Sequence, residues 1–316
     1  MDPVADRLLE GAADIVVAPD PGADTLRRMV GDADVLVVRS QLPADLLDRP
    51  HRLLGIVRHG TGVDMIPVDA ATAQAVPVAN VPNVNARAVA EYCAGAMLAL
   101  ARRLHRMDRD LHDRGWQDAR RHASGMIELG GRTLGIVGFG AIGRALAEIA
   151  HHGFGMRVLA FRRRTAPLPG FVQAAALDEL LAQSDVVSLN CPLTPETRNL
   201  LDARRIALMK PGAFLVNSAR GAVVDEAALV AALTAGRIGG AALDVFTEQP
   251  LARDHPLLAL PNVLLTPHAA GLTQEASRAM GEGAAQAVLR LLAGERPEHL
   301  VNPEVWDRVP RRRARS

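Results

Sequence analysis

A chain of 316 residues is too long for one average domain, and two is the natural count. With 49% hydrophobic and 22% charged residues the composition is that of an ordinary globular protein, and a formal net charge of +1 gives no reason to expect nucleic acid or a membrane as a partner. Cys93 and Cys191 both lie in apolar runs and point to a reducing compartment. Residues 1–10 carry acids and no long apolar core, so no signal peptide is expected. The most apolar stretch, residues 88–101, contains Glu91 and is too short to span a bilayer. Together these features predict a cytoplasmic protein.

Residues 1–100 alternate short apolar strands with helical patches. Strands are predicted at 14–18, 35–38, 54–57 and 76–79, and helical spacing at 23–30, 44–47 and 68–75, which makes a small parallel α/β unit. Two loops at strand ends are candidate binding elements. In residues 58–64 the glycines Gly60 and Gly62 can present backbone N–H groups to an anion, and Arg58 beside them could read a second anionic group. Residues 80–85 precede a helix predicted over 86–103. By composition alone both loops are equally ordinary turns. The helix is apolar on nearly every face, which suits burial between layers or domains. Residues 104–114 are heavily charged and read as a solvated helix, ended by Gly115 and by Trp116, a packing residue.

From residue 134 the alternation resumes in longer units. Strands are predicted at 134–137, 158–161, 186–189, 214–217, 240–244 and 263–266, and helices at 177–183, 202–208 and 225–235. Six strands, each with a crossover, make a doubly wound parallel sheet. A long Ala-rich helix at 273–293 is expected to return to the first unit. The predicted domains are therefore 1–101 and 102–272, with 273–316 completing the smaller, discontinuous one and ending in a solvated basic tail at 311–315.

The stretch 133–144 carries the sharpest signal. A short apolar run is followed by Gly138, Gly140 and Gly143 in G-x-G-x-x-G spacing, and then by a helix rich in Ala, Leu and Glu. In that context Gly138 permits a tight turn, Gly140 lets the backbone approach a pyrophosphate, and Gly143 lets the helix pack close to the strand. The helix N-terminus supplies N–H groups and a positive dipole end to the phosphates. Three later strands end in Arg220, Asp244 and His268. An arginine fork suits a carboxylate or keto oxygen, and a histidine exchanges protons near neutral pH, so the set suits hydride transfer at a carbonyl. Taken singly each has a bland alternative as a surface or core group.

At these residues the chain resembles the D-isomer-specific 2-hydroxyacid dehydrogenases. The resemblance runs over about residues 35–274. It rests on Gly60-Thr-Gly-Val-Asp64, Val89-Ala-Glu91, the glycine fingerprint, residues 191–197, residues 217–221 with 224–226, residues 242–246, and Thr266-Pro-His268. It implies a doubly wound Rossmann sheet with a smaller flavodoxin-like α/β substrate domain, an NAD(P)-dependent enzyme acting on a small 2-oxo or 2-hydroxy acid, no metal, and a homodimer. By match, Arg220 would bind and polarise the 2-oxo acid and His268 would donate the proton, with Gln249 as its partner. The backbone of Gly60, Thr61 and Gly62 would hold the carboxylate, and Asn85 would line the pocket. The cofactor would lie against Gly138, Phe139, Gly140, Ala141, Ile142 and Gly143, and against Cys191, Pro192, Thr197, Ser218 and Ala219, with Asp244 bonded to its carboxamide.

Three departures from the family pattern are visible. Gln249 stands where a glutamate partners the histidine, with Glu248 one residue early. Asn190 replaces a histidine before Cys191. The acid expected after the second Rossmann strand is absent, and Arg162, Arg163 and Arg164 follow that strand instead. Arginines there suit a 2′-phosphate, so NADP(H) is expected over NAD(H), the bland alternative being a solvated basic loop. Two rival readings remain: formate oxidation, because that branch of the family pairs its histidine with Gln, and a nucleotide-sensing interaction protein of the corepressor type.

Overall fold

The computed structural model describes residues 2–163 and 166–308. Arg164 and the basic tail at 311–315 lie outside the described residues. Packing divides the chain into two units, Met1–Asn85 with Leu272–Ser316, and Ala86–Gly271. The divide falls between Asn85 and Ala86, not after residue 101 as the sequence suggested.

The first segment runs α1 (Pro3–Leu9), α2 (Ala23–Met29), β1 (Val35–Val38), β2 (Gly55–Arg58), α3 (Val68–Ala73) and β3 (Val78–Ala79). The strands form a parallel sheet in the order β1-β2-β3. The strand predicted at 14–18 does not form: Ile15, Val16 and Val17 are 44%, 75% and 82% exposed and belong to no sheet. Three β-branched residues supply propensity, but a strand persists only beside a partner edge and a face to bury. The helical spacing at 44–47 likewise yields only a single 3₁₀ turn, Leu46–Asp48.

The second unit contains α4 (Ala86–Ala101), α5 (Leu104–Asp113), α6 (Trp116–Arg121), β4 (Thr133–Val137), α7 (Ala141–Glu148), β5 (Arg157–Phe161), β6 (Val172–Ala174), α8 (Leu177–Gln183), β7 (Val186–Leu189), α9 (Ala203–Leu208), β8 (Phe214–Asn217), α10 (Glu226–Thr234), β9 (Gly240–Leu243) and β10 (Val263–Leu265). Its seven strands are all parallel, in the order β10-β9-β8-β7-β4-β5-β6. Six were predicted. The seventh, β6, is three residues long and follows a Pro/Gly-rich loop, so no periodicity marks it. Every residue of β4, β7 and β9 is buried, as expected of parallel strands covered on both faces.

On one face α4 and α7 bury Ala90, Met97 and Leu146 against Leu134 and Ile136. On the other, Leu180, Ile206 and Leu229 cover Leu159, Val187 and Leu215. The contacts of α4 with α7, β8 and β9 are what place it in this unit. It is not buried all round, because Arg87, Glu91, Gly95 and Leu98 form an exposed stripe one helical turn apart. Trp116 opens α6 and is 66% exposed, so it is not the packing residue the sequence suggested.

Three helices of the second half start on side-chain caps. Asp202 accepts from the Arg205 N–H, Asp225 from that of Ala228, and Thr273 from that of Ala276. Thr273 opens α11 (Gln274–Leu292), which returns the chain to the first unit. There α11 lays Ala284, Ala285, Val288 and Leu291 over Val57 and Ala79. Buried Asn302 then pins the following segment: it accepts from the Val78 N–H and donates to the Val76 carbonyl and the Thr72 hydroxyl.

Candidate active site

The strand register of the second unit lines its functional groups up in one row. Phe161 pairs with Val137, Val137 with Leu189, Leu189 with Asn217, Asn217 with Leu243, and Leu243 with Leu265. One residue further on, six adjacent strand ends carry Arg162, Gly138, Asn190, Ser218, Asp244 and Thr266. The sheet order reverses between β4 and β7, and the crevice at such a reversal is where this class of sheet binds dinucleotides.

The glycines fit that purpose. Gly138 has φ +97°, and a Cβ there would meet the Asn190 carbonyl and the Cys191 nitrogen at 2.7 Å. A Cβ at Gly143 would lie 2.5 Å from the Gly138 carbonyl oxygen, so α7 packs this closely only without one. A Cβ at Gly140, the N-cap of α7, would meet nothing within 4 Å, which leaves the approach to the helix N-terminus open. Phe139 is buried, with the Arg144 guanidinium 5.5 Å from its ring, while Ala141 and Ile142 form the first turn. This cradle fits a pyrophosphate.

At the end of β5, Arg162 is half-buried and Arg163 is exposed. Arg163 reaches the Glu196 carboxylate at 3.4 Å, which joins the loop after β5 to residues 191–197. The Thr194 hydroxyl, with Arg163 after it, holds the Glu196 carboxyl below the usual range. Thr197 braces the same loop, donating to the Pro192 carbonyl at 2.7 Å and accepting from the Thr194 N–H at 2.8 Å. Burial pushes the Cys191 thiol up to about 11, so it stays protonated and unreactive.

Arg220 follows β8 on a loop whose shape Asn217 sets. This buried amide accepts from the Ala219 N–H at 3.0 Å and donates to the Arg220 carbonyl at 3.0 Å. Ser218 turns its hydroxyl to the Cys93 sulfur at 3.2 Å, an inward contact that the expected cofactor role did not foresee. Ala219 is buried beneath the loop.

His268 follows β10 with φ +56°. Its Nδ1 lies 2.9 Å from the Gln249 amide oxygen, and the Gln249 amide nitrogen donates to the Phe246 carbonyl at 3.3 Å. That orientation makes Nδ1 the protonated nitrogen of the neutral ring. Gln249, not Glu248, is therefore the histidine's partner. Glu226 steadies this loop by accepting from the Thr247 N–H and pairing with His255.

Asp244 is 1% exposed. Its Oδ1 accepts from the Thr266 hydroxyl at 2.6 Å and the Ala269 N–H at 2.8 Å, its Oδ2 from the Ala270 N–H at 2.9 Å, and its carbonyl from the His268 N–H at 2.8 Å. The sequence assigned this carboxylate to the nicotinamide. The structure commits three of its roughly four lone-pair sites to the loop that carries His268. Asn217, Glu226, Thr266 and Tyr92, which meets Thr266 at 2.7 Å, were missed as supporting residues. Tyr92 had one available signal: it is the chain's single tyrosine and follows directly on Val89-Ala-Glu91.

In the first unit, Gly60 has φ +128° and opens the loop of Thr61 and Gly62 after β2. Asn80 donates to the Thr61 carbonyl at 2.8 Å, and Asn85 is half-buried at the end of the segment. Arg58 is turned into this loop: Nε donates to the Gly62 carbonyl, and Nη1 to those of Val38 and His59. It braces the glycine turn, a role its place in the sequence did not disclose. Burial, with Arg39 and Arg58 nearby, lowers the neighbouring His59 to about 4, so that imidazole is neutral at physiological pH.

Comparison with known proteins decides the family. Residues 94–270 match the NAD-binding domain of the D-isomer-specific 2-hydroxyacid dehydrogenases. The chain belongs to this family. It is 40% identical over 302 residues to a D-3-phosphoglycerate dehydrogenase of Methanocaldococcus jannaschii, covering 94% of this chain but 57% of that protein, so it spans little more than half that relative's length. It is 40% identical over 294 residues to a glyoxylate reductase of Aeropyrum pernix, with 90% and 88% covered.

A Thermus thermophilus protein of solved structure superposes with a TM-score of 0.87 at 38% identity, covering 95% of this chain and 96% of that one. Two further solved structures, both at TM-score 0.86, hold different cofactors. One is an acyclic imino acid reductase with NADPH and D-Arg, 27% identical over 94% of this chain and 95% of that one. The other is a Staphylococcus aureus NAD-dependent formate dehydrogenase with NAD, 28% identical over 95% and 91%. The second unit is thus an NAD(P)-binding domain of an oxidoreductase family.

The neutral partner of His268 has a pH signature. A carboxylate at position 249 favours the protonated imidazole, which is the form that donates a proton in reduction. For a reductase whose proton donor is His268, Gln249→Glu is expected to carry activity about one pH unit further toward alkaline before it declines. Superimposable pH–rate profiles for the two proteins would show that the contact does not govern proton donation.

Proposed function

We propose that this chain reduces a small 2-oxo acid to the 2-hydroxy acid, with NADP(H) preferred over NAD(H). The observation that carries this reading is the pairing of two loops. Arg220 and His268 follow strands separated only by β9, at the edge of the sheet that bears the glycine cradle. The cradle residues would hold the cofactor, together with the loop of Cys191, Pro192 and Thr197. When bound, the nicotinamide supplies a hydride to the carbonyl carbon. Arg220 holds the oxo acid by its planar fork and polarises the keto oxygen. His268 gives the Nε2 proton to that oxygen as it becomes a hydroxyl, and is then reprotonated from solvent. Gln249 keeps Nδ1–H directed away from substrate.

Gln249 also favours a second reading. Taking a hydride from formate leaves carbon dioxide, and no hydroxyl proton has to move. A histidine with a neutral partner serves such a reaction, and the formate dehydrogenase neighbour lends it weight. A panel of 2-oxo acids with reduced cofactor, run beside formate with oxidised cofactor, separates the two readings.

For the reductase, His268→Ala is expected to cut turnover by about 10²–10⁴-fold, the usual worth of general acid catalysis, while cofactor affinity stays nearly intact. Wild-type turnover in that variant would remove His268 from the mechanism.

Cofactor preference rests on the residues after β5, where Arg162 and Arg163 follow Phe161 in place of an acid in the chain, with Glu196 reaching Arg163 from residues 191–197. Charge-assisted bonds to a 2′-phosphate are expected to favour NADPH in kcat/KM by roughly tenfold or more, and Arg162→Ala should erase part of that margin. A clear preference for NADH would refute this part of the proposal.

We further place the protein in the cytoplasm, where the free thiols of Cys93 and Cys191 are maintained. We assign it a homodimeric state through the second unit, which exposes Leu104 at 49%, Leu111 at 46%, Trp116 at 66% and Leu258 at 48%. Light scattering of the purified chain should give twice the chain mass; a monomer at micromolar concentration rules the dimer out.

A further inference from the structure

We infer that Tyr92 is a positioning residue for His268, its hydroxyl fixing the histidine's loop through Thr266 and Asp244. The inference rests on the proposed role of His268 as proton donor and adds a residue from α4, outside the loops of the strand ends.

The direction of the chain of bonds follows from counting protons. Thr266 has one hydroxyl proton, and it goes to Asp244 Oδ1 at 2.6 Å. The Tyr92 oxygen, 2.7 Å from the same Thr266 oxygen, must therefore be the donor of that contact. Burial pushes the Tyr92 phenol up to about 12, so the donor is retained across the physiological range.

Downstream, Asp244 takes the N–H groups of Ala269 and Ala270 on its carboxylate and that of His268 on its carbonyl. His268 sits between these anchors in the left-handed region at φ +56°. A residue with a Cβ keeps such a conformation only where its surroundings over-determine it, and these bonds are the surroundings. Losing the first donor leaves Thr266 free to rotate its hydroxyl away from Asp244. Packing alone does not call for the hydroxyl, because phenylalanine fills the same volume. A hydroxyl withdrawn partly from water is retained at a cost that its hydrogen bond offsets.

The neighbouring residue repeats the pattern. Cys93 on the same helix meets Ser218, two residues before Arg220, at 3.2 Å. Successive positions of α4 thus reach both loops to which the reaction is assigned.

The test uses the full-length protein with Tyr92→Phe, Thr266→Val, Thr266→Ser and the Tyr92→Phe/Thr266→Val pair. The first readout is amide hydrogen exchange at residues 268–270 in cofactor-free protein. The second is kcat and KM with the best 2-oxo acid at saturating cofactor. Tyr92→Phe should speed exchange at Ala269 and Ala270 and lower kcat, each by on the order of three- to tenfold, with KM within about twofold of wild type. Thr266→Ser keeps both bonds and should behave as wild type, while the double variant should be no worse than Thr266→Val alone. Unchanged exchange at Ala269 and Ala270 in Tyr92→Phe overturns the proposal, and so does faster exchange with kcat untouched. If the wild-type protein reduces no 2-oxo acid, the reductase reading falls, and the exchange comparison still decides whether Tyr92 holds the loop.

Discussion

The level ending of six parallel strands is the constraint on which the second unit depends. A parallel ladder leaves donors and acceptors at its carboxyl edge, and here the next residue on four strands continues it. The Gly138 N–H donates to the Phe161 carbonyl, that of Asn190 to Val137, that of Asp244 to Asn217, and that of Thr266 to Leu243, all between 2.8 and 3.0 Å. The backbone of the row is therefore part of the sheet, and its side chains leave from a rigid edge. Sites set on such edges hold their geometry better than sites on free loops. The apolar strand interiors matter to function in this sense: they fix the level at which polar chemistry begins.

The second dependence is on Asp244. A carboxylate at 1% exposure is costly unless its lone pairs are filled, and here three neutral donors fill them. All three come from the five residues 266–270, so satisfying the carboxylate and shaping the His268 loop are one requirement. Asn217 does the same for residues 218–220 with an uncharged amide. Two adjacent strand ends thus use one device, a buried polar side chain that folds the next loop back on itself. They differ in whether that side chain carries a charge.

What was legible in the sequence was what local pattern determines. The glycine fingerprint, the apolar runs of the second unit and the helix starts at 202, 225 and 273 each depend on a few neighbouring residues, and each lies within one residue of where the sequence put it. What was not legible depends on partners far along the chain. Residues 14–18 have strand composition and no strand edge beside them. Arg58 looks like a ligand contact until the carbonyls of Val38, His59 and Gly62 surround it. Tyr92 acquires a role only because Thr266, 174 residues away, ends a strand beside it. The divide at Asn85 was missed for the same reason: an apolar helix joins whichever layer it buries against, and α4 lies on β8 and β9.

Beyond the end of β5, an ion pair bears on the proposed cofactor preference. Arg163 is paired with Glu196, which at first sight removes it from service to a phosphate. Both side chains are 65% exposed, however, and the contact is a single long one at 3.4 Å. Pairs of this kind are screened by solvent and constrain their partners little. A phosphate at the same place offers the guanidinium more charge and a bidentate geometry, so an exchange of partners favours the phosphate. Glu196 has a second anchor in the Thr194 hydroxyl at 2.7 Å, and it need not follow the arginine when the arginine turns. The pair with Glu196 therefore competes only weakly for Arg163. Arg162, one residue nearer the strand, is the less exposed of the two.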